Sequence, residues 1–182
     1  DSNKYTINGT VVDNAYEGTK VYLQEMTDDA LVTTDSSIVQ NGAFSFSGVA
    51  DTNVLHVVTL AKKVNTQKER NVPVFLESGK LEVSFDTIVS VKGTKLNDDY
   101  THFHIEQAQL IQKVIRISDQ LENENKTGTM TRKRREELTK AYEETEKKLD
   151  DIYYAYVKNN INNKLGQFIF LNSIDFFEAE QQ

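Results

Sequence analysis

The stretch "DSSIVQNGAFSFSG", residues 35–48, decides how the first half of the chain is read. Asn41-Gly42 is a two-residue turn signal, because both residue types accept the positive φ that a tight hairpin turn demands. Ser37, Val39 and Gln40 lead into it. Phe44 and Phe46 follow, alternating with Ser45 and Ser47, so the rings share one face of a strand and the hydroxyls the other. Nothing in the stretch is suited to catalysis. It predicts a strand–turn–strand hairpin that is scaffold, each phenylalanine contributing about 2–3 kcal/mol on burial.

The same alternation extends outward. Tyr5, Ile7, Gly9 and Val11 alternate with Thr6, Asn8 and Thr10, and Val21 and Leu23 flank Tyr22 after a turn at Tyr16-Glu17-Gly18. Further runs lie at 31–39, 54–60, 72–76, 81–85 and 88–91, with Glu77-Ser78-Gly79-Lys80 as a turn between two of them. Near residue 95 the character changes. Leu96, Tyr100, Phe103, Leu110, Val114, Ile117 and Leu121 recur at heptad-like spacing, and Gln107 fills the missing seam position. A polar break with Gly128 follows, and then Leu138, Tyr142, Thr145, Leu149, Ile152 and Tyr156 repeat the pattern. Two long helices, over residues 96–121 and 131–162, form an antiparallel hairpin, about 40–50 Å long at 1.5 Å per residue. A shorter helix is expected after Gly166.

The expected fold is therefore α+β. An N-terminal antiparallel β-sandwich or open barrel of about eight strands occupies residues 1–95, and a long antiparallel helical hairpin with a short C-terminal helix occupies 96–182.

Composition excludes several functions. A net charge of −7 argues against a nucleic-acid partner, which needs a basic face. The chain has no cysteine, so it holds no disulfide, thiol nucleophile or thiolate metal site. No apolar run is long enough to span a membrane as a helix. The opening "DSNKYTINGT" lacks an initiator Met and reads as a mature or trimmed start, and the ending "FFEAEQQ" carries no helix stop signal, which favours a longer polypeptide.

Six motifs in order carry a resemblance: "YTINGTV" at 5–11, "GTKVYLQ" at 18–24, "DS" at 35–36, "NGAFSFSG" at 41–48, "PVFLESGK" at 73–80 and "VKGTKLN" at 91–97. In this order they resemble the domain of unknown function DUF4369, over about residues 4–100. The helical stretch and "NKLGQFIFL" at 163–171 fit more loosely the linker of proteins carrying that domain. The resemblance implies a Bacteroidetes protein placed outside the cytoplasm, in the periplasm or cell envelope. It implies a lipoprotein anchored through a cysteine just upstream, with a thioredoxin-like (AhpC/TSA or TlpA/ResA type) thiol–disulfide oxidoreductase domain following. The chain departs from that pattern in one respect: no C-x-x-C occurs in it.

The polar residues support no catalytic, cofactor-binding or metal assignment. Asp98 and His102 share a helix face, but His104 lies about 200° further round, so the set does not close on one ion. Asp98 and Asp99 suit the positive end of a helix starting near Leu96. His56, in "VLHVVTL", reads as a half-buried strand histidine with no nucleophile nearby. "TRKRREE" at 131–137 pairs with Glu136, Glu137 and a facing acidic surface, or serves as a docking patch for a partner or anionic head group. "YYAY" at 153–156, with Tyr142, Phe168, Phe170, Phe176 and Phe177, is mainly helix packing, and any exposed remainder suits a following domain or a dimer mate. Asp28-Asp29 and Asp150-Asp151 are adjacent rather than facing, and "KTGTMT" at 126–131 lacks the frame of a phosphate loop.

The expected function is a non-catalytic module of an extracytoplasmic thioredoxin-like oxidoreductase, acting in positioning, dimerisation or client recognition. Its partner is another protein or the downstream domain, with a homodimer through the helical hairpin as one form. Gln107 and Thr145 would set register in that seam. The alternative is a stand-alone periplasmic or surface binding protein for a peptide, glycan or lipid. The strand assignment is itself testable: Phe46→Asp should leave the chain unfolded by circular dichroism, and a normally folded variant would show the register to be wrong.

Overall fold

A computed structural model describes residues 3–180, with side chains as far as Asn172. Eight strands come first: β1 (Lys4–Val11), β2 (Lys20–Met26), β3 (Leu31–Ile38), β4 (Ala43–Val49), β5 (Asp51–Leu60), β6 (Arg70–Leu76), β7 (Gly79–Phe85) and β8 (Val89–Lys92). Three helices follow: α1 (Lys95–Thr127), α2 (Arg132–Asn159) and α3 (Lys164–Glu180). The strands make two four-stranded sheets, β4-β1-β7-β8 and β3-β2-β5-β6, and no closed barrel. The α+β sandwich read from the sequence is the observed fold. It departs from all-antiparallel order at one seam, where β1 and β7 run parallel. These strands are distant in sequence, so no tight turn forces them into opposite directions.

The turn at residues 41–42 forms as read, with Asn41 at φ 53° and Gly42 at φ 71°. Gln40 and Ala43 exchange both backbone hydrogen bonds, at 2.9 and 3.1 Å. The expected hairpin does not continue. β3 belongs to one sheet and β4 to the other, so the stretch is a corner that carries the chain across the sandwich. Residue alternation establishes that two strands flank a turn, but not that they pair with each other beyond it. Here the phenylalanines decide: β4 pairs with β1, setting Phe46 opposite Ile7 and Phe44 opposite Gly9, and both rings are buried. The Glu17 carboxylate secures the corner, accepting the Asn41 amide at 2.5 Å and the Gly42 amide at 3.0 Å.

Two glycines make room for aromatic rings on their cross-strand partners. A Cβ on Gly9 would sit 2.0 Å from the Phe44 ring, and one on Gly48 would sit 2.9 Å from the Tyr5 hydroxyl. Between the sheets lies the main core, including Ile7, Val58, Leu60, Val74, Leu81 and Phe85, all fully buried. A second cluster, Leu55 and Phe75 with Leu165 of α3, covers the far side of the second sheet.

The chain divides into two compact units, residues 1–101 with 160–182, and residues 102–159. In the second unit, α1 and α2 form the expected antiparallel hairpin. Phe103 stacks on Tyr156 with centroids 4.4 Å apart, and Ile117, Leu138 and Thr145 are buried. Thr145 satisfies itself by donating to the Ala141 carbonyl at 2.7 Å, a bond available to a helical threonine. In the first unit, α3 begins at Lys164 rather than after Gly166. Asn163 caps it by accepting the Gly166 amide at 2.9 Å. Gly166 is required by packing, because a Cβ there would meet the Asn160 carbonyl oxygen at 2.0 Å.

Gly9→Ala should destabilise the sandwich by about 1–3 kcal/mol through overpacking against Phe44. Combined with Phe44→Leu it should cost less than the two changes summed. Urea midpoints of the two single variants and the double variant measure this coupling.

Candidate functional site

The motifs that run from 73 to 97 converge on the first two turns of α1. Asn97 is fully buried, and its side-chain amide bonds both backbone groups of Phe75 on the edge strand β6. Oδ1 accepts the Phe75 amide at 2.8 Å, and Nδ2 donates to the Phe75 carbonyl at 2.8 Å. The amide thus imitates one residue of a neighbouring strand. One turn later Thr101 does the same at β8, the edge of the other sheet. Its hydroxyl accepts the Val91 amide at 3.1 Å and donates to the Val91 carbonyl. Residues four apart lie on one helix face, so a single face of α1 closes an edge of each sheet.

The helix start is held from the β6–β7 turn. Glu77 Oε1 accepts the Leu96 amide at 2.9 Å and the Thr94 hydroxyl at 2.7 Å, placing a carboxylate where the helix dipole is positive. Asp98 reaches back to the Gly93 amide at 2.9 Å, and Asp99 pairs with Lys95 at 2.9 Å. Gly93 has φ 118°, and a Cβ would collide with the Lys80 carbonyl oxygen at 2.2 Å, so only glycine fits. Tyr100 packs against both hydrophobic clusters, and burial pushes its phenol up to about 12.

A cleft of about 670 Å³ opens at one end of the sandwich. Its walls include Tyr16, Lys68, Arg70 and Phe85. The Arg70 guanidinium lies 5.9 Å from the centre of the Phe85 ring and donates to the Asp86 carbonyl. Tyr16 donates to the Lys68 carbonyl at 2.8 Å, and Gln67 holds the loop by donating to Ala15 at 2.5 Å. Asp13, Glu69 and Asp86 also line it, so both signs of charge are present. The cleft thus sets one oriented guanidinium, that of Arg70, beside the Phe85 ring and among carboxylates.

The residues singled out from sequence scatter. His56 is buried in β5, with Nδ1 3.1 Å from the Val54 carbonyl. His102 is exposed on α1, while His104 is half-buried and held below the ordinary histidine range by desolvation. Among the described residues, no three His, Asp or Glu side chains converge as a metal set. In the basic cluster, Arg134 bonds Glu124 at 3.1 Å, Arg132 bonds Glu136 at 3.3 Å and Arg135 bonds Asn125 at 2.9 Å. Tyr154, Phe168 and Phe170 are exposed, whereas the side chains of Phe176 and Phe177 lie outside the described residues. Among the described residues, no helix is long and apolar enough to cross a membrane. Sequence reasoning did not single out Glu77, Asn97 and Thr101. The signal available for Glu77 and Asn97 was their place in the motifs beside a predicted helix start, and for Thr101 its spacing of four from Asn97 on that helix.

The chain is thus a two-sheet α+β sandwich in which Glu77, Asn97, Asp98 and Thr101 serve its own backbone. Residues 5–100 match the model of the domain of unknown function DUF4369, more than half of the sequence, and the chain belongs to that family. The match ends at Tyr100, one residue short of the second edge-closing side chain. No curated protein matches the chain.

Asn97→Ala leaves both Phe75 groups without their partner and should cost about 2–4 kcal/mol. Asn97→Asp keeps only the acceptor and should fail to restore stability in urea melts. The Tyr100 phenol is held neutral in the fold, so the unfolded chain ionises first on raising pH. Stability should fall from about pH 10 upward through about 12. Tyr100→Phe should flatten that part of the profile.

Proposed function

We propose that the chain is a non-catalytic contact module of an extracytoplasmic thioredoxin-like thiol–disulfide oxidoreductase, reached through an upstream lipid anchor, which positions the redox domain or recognises its client. One observation carries the reading: Glu77, Asn97 and Asp98, three polar residues within the family-matching span, bond the chain's own backbone groups rather than line the cleft. The chain has no cysteine, so on this reading the reactive thiols belong to another segment of the same polypeptide. The paired helices α1 and α2 supply length and surface for a protein contact.

The cleft beside Arg70 favours a second reading, a binding protein that takes a peptide, glycan or lipid at the sandwich end.

The complete open reading frame tests the first reading, with a C-x-x-C expected within about 100 codons downstream, as redox motifs require. Deleting residues 5–100 from the full-length protein should then raise KM for a protein disulfide while leaving reduction of a small disulfide unchanged. An immediate stop codon, or equal effects on both substrates, would exclude this role.

A further inference from the structure

The four sheet edges are not treated alike. β6 and β8 are closed by Asn97 and Thr101. At β4, Ser45 donates its amide to Ser37 at 3.4 Å. β3 is the remaining edge, and seven of its eight residues are exposed, Leu31, Val32 and Ile38 among them. It carries neither Lys nor Pro, the residues that commonly blunt an open edge.

A bulge sets the phase of this strand. The pairing with β2 skips Thr34 between Leu23 and Gln24. Residues seven apart fall on opposite faces of a regular strand. The extra residue brings Leu31, opposite Met26, and Ile38, opposite Lys20, onto the same outer face as Thr33 and Ser36. Val32, Asp35 and Ser37 take the inner face, Asp35 and Ser37 opposite the buried Leu23 and Val21.

We propose that β3 pairs antiparallel with β3 of a second copy of this chain, joining two four-stranded sheets into one. The register that fits is centred between Thr34 and Asp35. It sets Leu31 against Ile38 of the second copy, Val32 against Ser37, and Thr33 against Ser36. Every facing pair flanking the bulge then shares a face, and the apolar pair Leu31–Ile38 occurs twice. The one charge on the strand, Asp35, meets Thr34 rather than its own image, so like charges do not oppose each other. A register one residue away breaks the face match. This self-complementarity is what an isologous two-fold contact requires and what a foreign peptide has no reason to need. The contact is a single strand wide and so belongs to the weak, concentration-dependent class.

Sedimentation of the full chain across a concentration series tests it, with single Ile38→Lys and double Leu31→Cys/Ile38→Cys variants. Both positions are exposed, so both variants should fold. The expected results are a reversible dimer, its association weakened about ten-fold or more by Ile38→Lys, and an oxidised double variant cross-linked as a covalent dimer without background thiols. A dimer untouched by Ile38→Lys is built elsewhere, as through the helical hairpin, and overturns the proposal. So does a chain that stays monomeric and does not cross-link, which would return the edge to a foreign extended peptide. None of these outcomes depends on whether a redox domain follows.

Discussion

The first two turns of α1 close the sandwich. A two-sheet stack has open sides where edge strands present unpaired amides and carbonyls, and buried backbone groups of that kind must find partners. Here Asn97 and Thr101, one helical turn apart, supply them to β6 and β8 in turn. The helix is set by the Glu77 carboxylate at its start, and Tyr100, on the same two turns, packs against both hydrophobic clusters. Loss of either edge bond would free a strand end and open the route by which water reaches both hydrophobic clusters. Strands and helix are therefore one cooperative object up to Thr101.

The opposite side of the sandwich uses a different device. The corner at residues 39–43 transfers the chain from one sheet to the other, with Val39 buried beneath it and the Glu17 carboxylate holding the turn amides. Ser37 spans the gap to Ser45. Asp35 lies close enough to Tyr5 to reinforce the upward shift that burial gives its phenol. This side depends on the turn, so its strand β3 owes its place to the ladder with β2 rather than to buried side chains.

Period and turn chemistry made much of this legible. Alternation in 5–11 and 43–49 gave both strands and their inward faces, and the heptad spacing of Leu138, Thr145 and Tyr156 gave the hairpin seam. What alternation does not encode is pairing partner. Asn41-Gly42 looks the same whether its strands pair or part, and only the demand of Phe44 for the space over Gly9 separates the cases. The start of α3 was displaced for a similar reason. Gly166 reads as a break, yet its missing side chain admits the Asn160 carbonyl. The roles of Asn97 and Thr101 depend on strands some twenty and ten residues away being brought to one helix face, which spacing alone does not state.

Charge pairing bears on where a partner can be steered. Exposed ion pairs add little stability, but they cancel local field. Along the helices, Lys126 with Glu122, Arg132 with Glu136, Lys140 with Glu144 and Lys147 with Asp151 do so in sequence. Arg134, between Glu124 and Glu137, is neutralised twice, so the basic cluster at 131–137 is weaker than its composition suggests. The loop that walls the sandwich cleft differs. Lys63 donates to the Glu17 carbonyl and Arg70 to that of Asp86, which orient the cations without discharging them. The carboxylates of Asp13, Glu69 and Asp86 line the same cleft, so the field at this end of the sandwich carries both signs and composition alone marks neither basic stretch as a positive patch.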